Sequence, residues 1–292
     1  MMALRAVPSV DCDVIVVGAG PAGAATAAHM CRLGLSVVLL DRKRFPRDKV
    51  CGDLVGPVAL AELAGLRLDR RLDYAATNVV QRAAVTVGGT MLHTSPLPRV
   101  AGLPAFGRVI PRLELDGWIV DAARAAGVSI REGWRASAIE LDRDGVTVTA
   151  MERSSSERIR ARLLIGADGS TSRVAERLRG RPADKQRRMI AVRAYYDGVE
   201  GPSDRADLYF SDRSFPGYFW IFPTGEGRAN VGIGTVLRTA PPSTDHLRDL
   251  LLGLVRDDRA VANRLGAGGS RAKSWVGRSA PSIIGSRSSA IA

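Results

Sequence analysis

Gly18, Gly20 and Gly23 form a Gly-x-Gly-x-x-Gly pattern directly behind the β-branched run Asp13-Val-Ile-Val-Val17 and ahead of the alanine-rich stretch 24–33. Glycines at that spacing suit a phosphate group. Gly18 permits a tight turn, Gly20 lets the backbone approach a pyrophosphate, and Gly23 lets a helix pack closely on the strand. The helix that opens there offers free N–H groups and a partial positive charge to the phosphates. Asp41 closes a second apolar run, Ser36–Leu40, where an acid accepts hydrogen bonds from the ribose hydroxyls of an adenine dinucleotide. An acid at this place, with no nearby replacement built for a 2′-phosphate, argues against NADP in this pocket. FAD and NAD both stay open on these residues alone.

A second group, Ile165-Gly-Ala-Asp168-Gly169-Ser-Thr-Ser172-Arg173, follows the strand-like 159–165 and precedes the helix-like 174–178. A carboxylate and a glycine at a strand's carboxyl end can touch a ligand; the same residues also read as an Asp-Gly turn with a serine helix cap. Tyr218, Trp220 and Phe222 alternate along a strand and share one face. Phe222 reads as core, whereas Tyr218 and Trp220, each with a large apolar body and a polar tip, read as the wall of a ligand pocket. Cys51 reads either as packing or, beside Arg47 and Lys49, as a thiol whose electropositive setting favours the thiolate when exposed. Cys12, Cys31 and Cys51 form no CxxC pair, which fits a reducing, cytosolic setting and excludes a structural zinc. His29, His93 and His246 match no triad or metal spacing.

An N-terminal Gly-x-Gly-x-x-Gly paired with an internal Asp-Gly motif resembles the flavoprotein group that includes p-hydroxybenzoate hydroxylase. The resemblance implies FAD as the cofactor, with Asp168 and Gly169 near its riboflavin moiety and pyrophosphate. It also implies that Arg112, in Ile110-Pro-Arg112-Leu-Glu-Leu-Asp116, reaches the FAD, although a surface arginine at a helix start is the alternative. Arg42, next to Asp41, is counted with Gly18, Gly20, Gly23 and Asp41 among the cofactor-binding residues. Two further segments resemble the geranylgeranyl reductase family in particular. One is Asp41-Arg-Lys-Arg-Phe45-Pro46-Arg-Asp-Lys49-Val-Cys51-Gly52-Asp53, with its Lys-x-Cys-Gly. The other is Tyr218-Phe-Trp220-Ile-Phe222-Pro223, followed after eight residues by Gly232-Ile-Gly234.

That family resemblance implies an FAD-dependent oxidoreductase that delivers hydride from reduced flavin to carbon–carbon double bonds of a prenyl chain, of the geranylgeranyl lipid or menaquinone type. Cys51, Tyr218 and Trp220 are then the catalytic candidates. Tyr218 and Trp220 border a hydrophobic cavity, and Cys51 near the flavin ring orients substrate or donates a proton. The implied partners are a hydrophobic substrate and an external electron donor, either NADPH or a reduced ferredoxin or flavoprotein. Peripheral membrane contact fits a substrate that lives in lipid. The alternatives are a monooxygenase or halogenase on the same scaffold, although halogenases carry Trp-x-Trp-x-Ile-Pro at the aromatic strand, and an inactive flavin-binding remnant. The remnant reading rests on the family's Gly-Asp-Ala-Ala-Gly segment, which has no counterpart after the aromatic motif; a C-terminally truncated member is therefore expected.

To position these residues the chain needs an α/β fold: a Rossmann-like FAD-binding domain interrupted by a mixed β-sheet substrate domain. The expected boundaries are 11–75 and 105–180 for the first, 76–104 and 185–256 for the second, and an irregular tail over 257–292. A helix is predicted over 112–126, and a hairpin over 136–151 turning at Asp142-Arg-Asp-Gly145. A further helix, Pro241–Val255, is predicted with Ser243 as its cap. The 292 residues carry a net charge of +12; six of those charges fall after residue 258, in a stretch without an acid. Without a nucleic-acid motif or an aromatic stacking stripe, these arginines read as solvated surface, and no nucleic-acid partner is expected. No secretory signal is visible, and the uncharged stretch Val14–Cys31 is split by its glycines and proline into strand and helix rather than a membrane span.

Overall fold

The first strand, β1 (Cys12–Val17), is buried along almost its whole length, as a continuous β-branched run dictates for a strand covered on both faces. The structure, a computed structural model, describes residues 9–181, 189–236, 244–266 and 272–276. After β1 come α1 (Pro21–Arg32), β2 (Val37–Asp41), β3 (Leu54–Val55), α2 (Pro57–Gly65), α3 (Leu72–Ala76), β4 (Asn78–Val80), β5 (Arg82–Val87), β6 (Thr90–Pro96) and β7 (Gly107–Val109). The middle of the chain holds α4 (Arg112–Ala125), β8 (Ser129–Glu132), β9 (Arg135–Asp142), β10 (Gly145–Glu152), β11 (Ser155–Gly166) and α5 (Arg173–Arg179). Then follow β12 (Met189–Asp197), β13 (Arg205–Phe210), β14 (Tyr218–Gly225), β15 (Arg228–Val236), α6 (Thr244–Asp257), α7 (Arg259–Leu265) and β16 (Ala272–Val276).

These elements make an α/β fold in two units. Among the described residues one unit takes the chain up to Arg47 and from Leu113 to Arg181; the other takes Asp48–Arg112 and everything from Met189 onward. In the first, a six-stranded sheet runs β8-β2-β1-β11-β10-β9. β8, β2, β1 and β11 are parallel, and β10 runs antiparallel to both β11 and β9. The crossover from β1 to β2 is α1, whose Ala24, Ala27 and Ala28 are fully buried. The hairpin expected over 136–151 is β9 and β10, turned where Asp142 Oδ1 accepts from the Asp144 N–H at 2.9 Å.

In the second unit a seven-stranded sheet is ordered β16-β12-β15-β14-β13-β5-β6, antiparallel except for the β13–β5 pair. One face is closed by α6 and α7. Leu247, Leu251 and Leu254 recur at helical spacing on α6 and pack with Val261 and Leu265 on Ile190, Val192, Phe219, Ile221, Val231 and Ile233. Strand alternation sends the intervening residues of β14, namely Tyr218, Trp220 and Phe222, to the opposite face with Val80, Val109 and Ala206. A small sheet, β3-β7-β4, belongs to the same unit.

The break after Arg47 lies upstream of the boundary that the sequence suggests at 75, because β3 pairs with β7 and β7 with β4, tying residues 54–55 and 78–80 into one sheet. The stretch expected to be an irregular tail contains α7 and β16. Asp258 caps α7 by accepting from the Ala260 and Val261 N–H groups at 2.9 and 3.2 Å, and β16 adds an edge to β12. The predicted 241–255 helix is α6, which runs on to Asp257; its expected cap Ser243 lies outside the described residues.

Candidate functional site

In the first unit the glycine loop is built as its spacing requires. Gly18 has φ +101°, and a Cβ there would run into the Ala167 carbonyl; a Cβ on Gly23 would overlap the Gly18 carbonyl oxygen. Gly20 is different: the nearest atom to its virtual Cβ is Arg47 Nη2 at 3.6 Å, so its outer face is open. Gly20 is also the N-cap of α1, with Pro21 behind it, no side-chain cap and no acid in the first turn. Uncapped N–H groups and the positive helix end therefore face an open glycine, which is the geometry of a phosphate cradle.

Asp41 braces this loop. It is 8% exposed; Oδ2 accepts from the Ala19 N–H and Oδ1 from the Lys43 N–H, both at 2.8 Å. Arg42 is exposed on the bend that follows. Arg47 approaches the loop: Nη1 lies 3.2 Å from the fully buried Asp116, Nη2 3.9 Å from Asp41, and the guanidinium rests over the Phe45 ring. In the sequence Arg47 stands only as a neighbour of Cys51 in the segment after Asp41, and its partner Asp116 is 69 positions away.

Asp168 and Gly169 come against the same loop, with Asp168 Cα 2.7 Å from where a Gly18 Cβ would stand. The carboxylate is engaged at the start of α5. It accepts from the Ser172 hydroxyl and from the Arg173 N–H at 2.7 Å, while Ser172 Oγ accepts from the Ala175 N–H at 2.9 Å. The turn-and-cap geometry anticipated as an alternative is thus present, on a loop that also touches the phosphate cradle. Gly169, at φ +81°, opens a single turn of 3-10 helix.

The second unit gathers the remaining candidates. Cys51 is half-buried, and its carbonyl accepts from Asn230 Nδ2 at 2.8 Å. The same nitrogen donates to Asp53 Oδ2 at 2.7 Å, and Asn230 Oδ1 accepts from Trp220 Nε1 at 2.9 Å. Trp220 is 5% exposed and stacked on Phe222, so its polar tip meets the protein's own amide. Asp53, 1% exposed, also accepts from the Tyr195 hydroxyl at 2.5 Å and from the Arg112 backbone N–H at 3.3 Å. Arg112 is itself buried at the start of α4. The fully buried Arg193 stacks on Tyr195 and donates to Asp48 at 2.5 and 2.7 Å. No sequence motif singled out Asp53, Tyr195 or Asn230 as a group; Tyr195 and Asn230 are cross-strand partners on β12 and β15, which only the register reveals.

Burial raises the Asp53 carboxyl above the ordinary range, against the pull of its donors, chiefly Tyr195 and Asn230. Burial likewise raises Tyr195, with the Asp53 charge adding to it. Tyr218 is half-buried beside Trp220, and burial, then the charge of nearby Cys51, raises its phenol. Among the described residues no group of three His, Cys, Asp or Glu could hold a metal, and no helix is long and apolar enough to cross a membrane.

The family description "FAD binding domain" matches residues 11–227. The chain is 34% identical over 245 residues to the menaquinone reductase of Mycobacterium tuberculosis, covering 82% of this chain and 59% of the relative. It is 33% identical over 226 residues to digeranylgeranylglycerophospholipid reductase 2 of Methanopyrus kandleri, covering 76% and 54%. It therefore spans little more than half the length of these relatives. Among solved structures, a geranylgeranyl bacteriochlorophyll reductase-like protein from Thermoplasma acidophilum superposes with a TM-score of 0.71 at 22% identity, over 86% of this chain and 63% of the other. A flavin-dependent halogenase superposes at 0.76 and 22%, over 90% and 48%. Those two likenesses speak to the fold, which they share. The open Gly20, the uncapped start of α1 and the braced Asp41 suit the adenosine diphosphate half of FAD, and a family match that runs through all of them makes the conclusion plain: this protein belongs to the FAD binding domain family.

Proposed function

We propose that this chain, with FAD bound, reduces carbon–carbon double bonds in the prenyl chain of a lipid or quinone. The observation that carries this reading is the apolar sheet face of Tyr218, Trp220 and Phe222 beside the Cys51 turn, in a chain about one-third identical to proteins named menaquinone reductase and digeranylgeranylglycerophospholipid reductase. Bound FAD, once reduced by an external donor such as NADPH or a ferredoxin, supplies the hydride. The protein must supply the rest. An isolated double bond accepts hydride poorly, so a proton has to reach the second carbon as the first receives its hydride. The Tyr218 phenol, kept protonated by burial, and the Cys51 thiol are the donors this face offers. Tyr218 keeps part of its ring open at this face, and Trp220 and Phe222, both buried, back it with apolar packing, so an isoprenoid chain laid on it loses little on leaving lipid. In the first unit the glycine loop, Asp41 and Arg47 hold the adenosine diphosphate half of the cofactor.

The test starts with the purified 292-residue chain titrated with FAD and followed by its visible spectrum. Bound flavin, reduced anaerobically with dithionite and mixed with a geranylgeranyl lipid or menaquinone, should reoxidise while the product gains one H2 per double bond. Failure to bind flavin would overturn the reading in favour of an inactive remnant. Flavin that binds, leaves the prenyl chain unchanged and consumes oxygen with an aromatic substrate would overturn it in favour of a monooxygenase or halogenase.

A further inference from the structure

The Cys51–Asp53 turn is held more firmly than a loop carrying only one reactive side chain needs. Gly52 has no room for a side chain, since a Cβ there would lie 2.7 Å from the Phe222 ring and 3.3 Å from Trp220 Nε1. Asp53 takes φ +63°, a left-handed conformation that residues with a Cβ seldom adopt. Its backbone carbonyl accepts from the Ile110 N–H at 2.9 Å. Its carboxylate faces only donors: the Tyr195 hydroxyl, the Asn230 amide and the Arg112 N–H. Three inward donors call for a group that only accepts, which an ionised aspartate is and an asparagine is not. Asn230 is the hinge of the arrangement, because one nitrogen serves both the Cys51 carbonyl and the Asp53 carboxylate while its oxygen holds the Trp220 indole. A shift of Asp53 thus moves the backbone of Cys51 and the aromatic face together.

We infer that Asp53, acting with Tyr195 and Asn230, is a positioning residue that fixes the Cys51 turn on the aromatic strand and so sets the direction of the Cys51 thiol. Asp53 does not donate the proton of the reaction: its carboxylate already receives the hydrogens of its neighbours. The inference rests on the prenyl-reduction reading for the use made of Cys51, and on geometry alone for the positioning itself.

The experiment reads Cys51 alkylation by iodoacetamide across pH 7–10 in the full chain saturated with FAD, mapped by mass spectrometry, with Cys12 and Cys31 as internal references and C51S to confirm the site. In D53N and Y195F, Cys51 should react about tenfold faster than in the parent with a displaced pH midpoint, the effect of losing one charge-assisted hydrogen bond, while Cys12 and Cys31 keep their rates. Turnover should fall in both variants with KM for the prenyl substrate unchanged. If D53N does not fold, Y195F decides, since it keeps the ring beneath Arg193 and deletes a single hydroxyl. A folded Y195F whose Cys51 rate and pH midpoint equal the parent's would overturn the positioning role. Alkylation needs no turnover, so the two ideas fail separately: a parent chain that never reduces a prenyl bond but shows the expected alkylation pattern removes only the functional reading.

Discussion

At the residue scale, Trp220 spends its one polar group inside the protein, donating its indole N–H to Asn230 Oδ1 at 2.9 Å. Trp220 is large and apolar, and the sequence gives it a pocket-wall role; yet its indole N–H is bound to Asn230, so part of its value is structural. Trp220→Phe should cost about 1–3 kcal/mol in denaturant unfolding, because Asn230 Oδ1 is left buried without its donor. Gly23 admits no substitute. Gly23→Ala drives a methyl into the Gly18 carbonyl, and FAD titration of that variant should show no stoichiometric binding even if the second unit stays folded. Asp142 provides a pH test. Arg160, and behind it the Asp144 N–H, pull its carboxyl down to about 2. A carboxyl lowered on folding adds stability above its ordinary value of about 3.9 and loses that stability as pH falls toward its folded value. Asp142→Asn should therefore flatten the acid limb of the melting-temperature profile between about pH 4 and 2.

At the element scale, local signals placed α1, α4 and the β9–β10 hairpin, because each is fixed by contiguous chemistry: glycines and alanines, a helical run after Pro111, an Asp-Gly turn. Residues 259–276 were not legible in the same way. Their glycines, serines and arginines carry weak intrinsic preference, and α7 is only seven residues long, too short to stand without packing. It forms because Asp258 caps it and Val261 and Leu265 bury against the sheet. Asp258→Ala should lower stability by about 1 kcal/mol, read by thermal unfolding. The glycine pair of β15 is equally tertiary in origin. Gly232 lies where a Cβ would enter the Trp220 ring, so the spacing between the aromatic motif and Gly232 reflects a cross-strand fit between β14 and β15.

At the scale of the whole molecule, four of the five tyrosines sit in the seven-stranded sheet with phenols raised by burial: Tyr195, Tyr196, Tyr209 and Tyr218. A phenol raised on folding keeps its full contribution below the unfolded value of about 10 and loses it as pH climbs through the folded value. Stability should thus decline steeply above about pH 10, and ultraviolet titration should show most tyrosines ionising only as the second unit unfolds. By itself the sequence determined the α/β class, the strand–glycine turn–helix of β1 and α1 and the flavin kinship, because a strand, a glycine turn and a helix in unbroken succession have little geometric freedom. Only the tertiary structure decided that Arg47 approaches the glycine loop, that the first unit breaks after residue 47, and that Asp53, Tyr195 and Asn230 share one hydrogen-bond network. Those contacts join residues 69 to 177 positions apart, and strand register and packing, not spacing along the chain, bring them together.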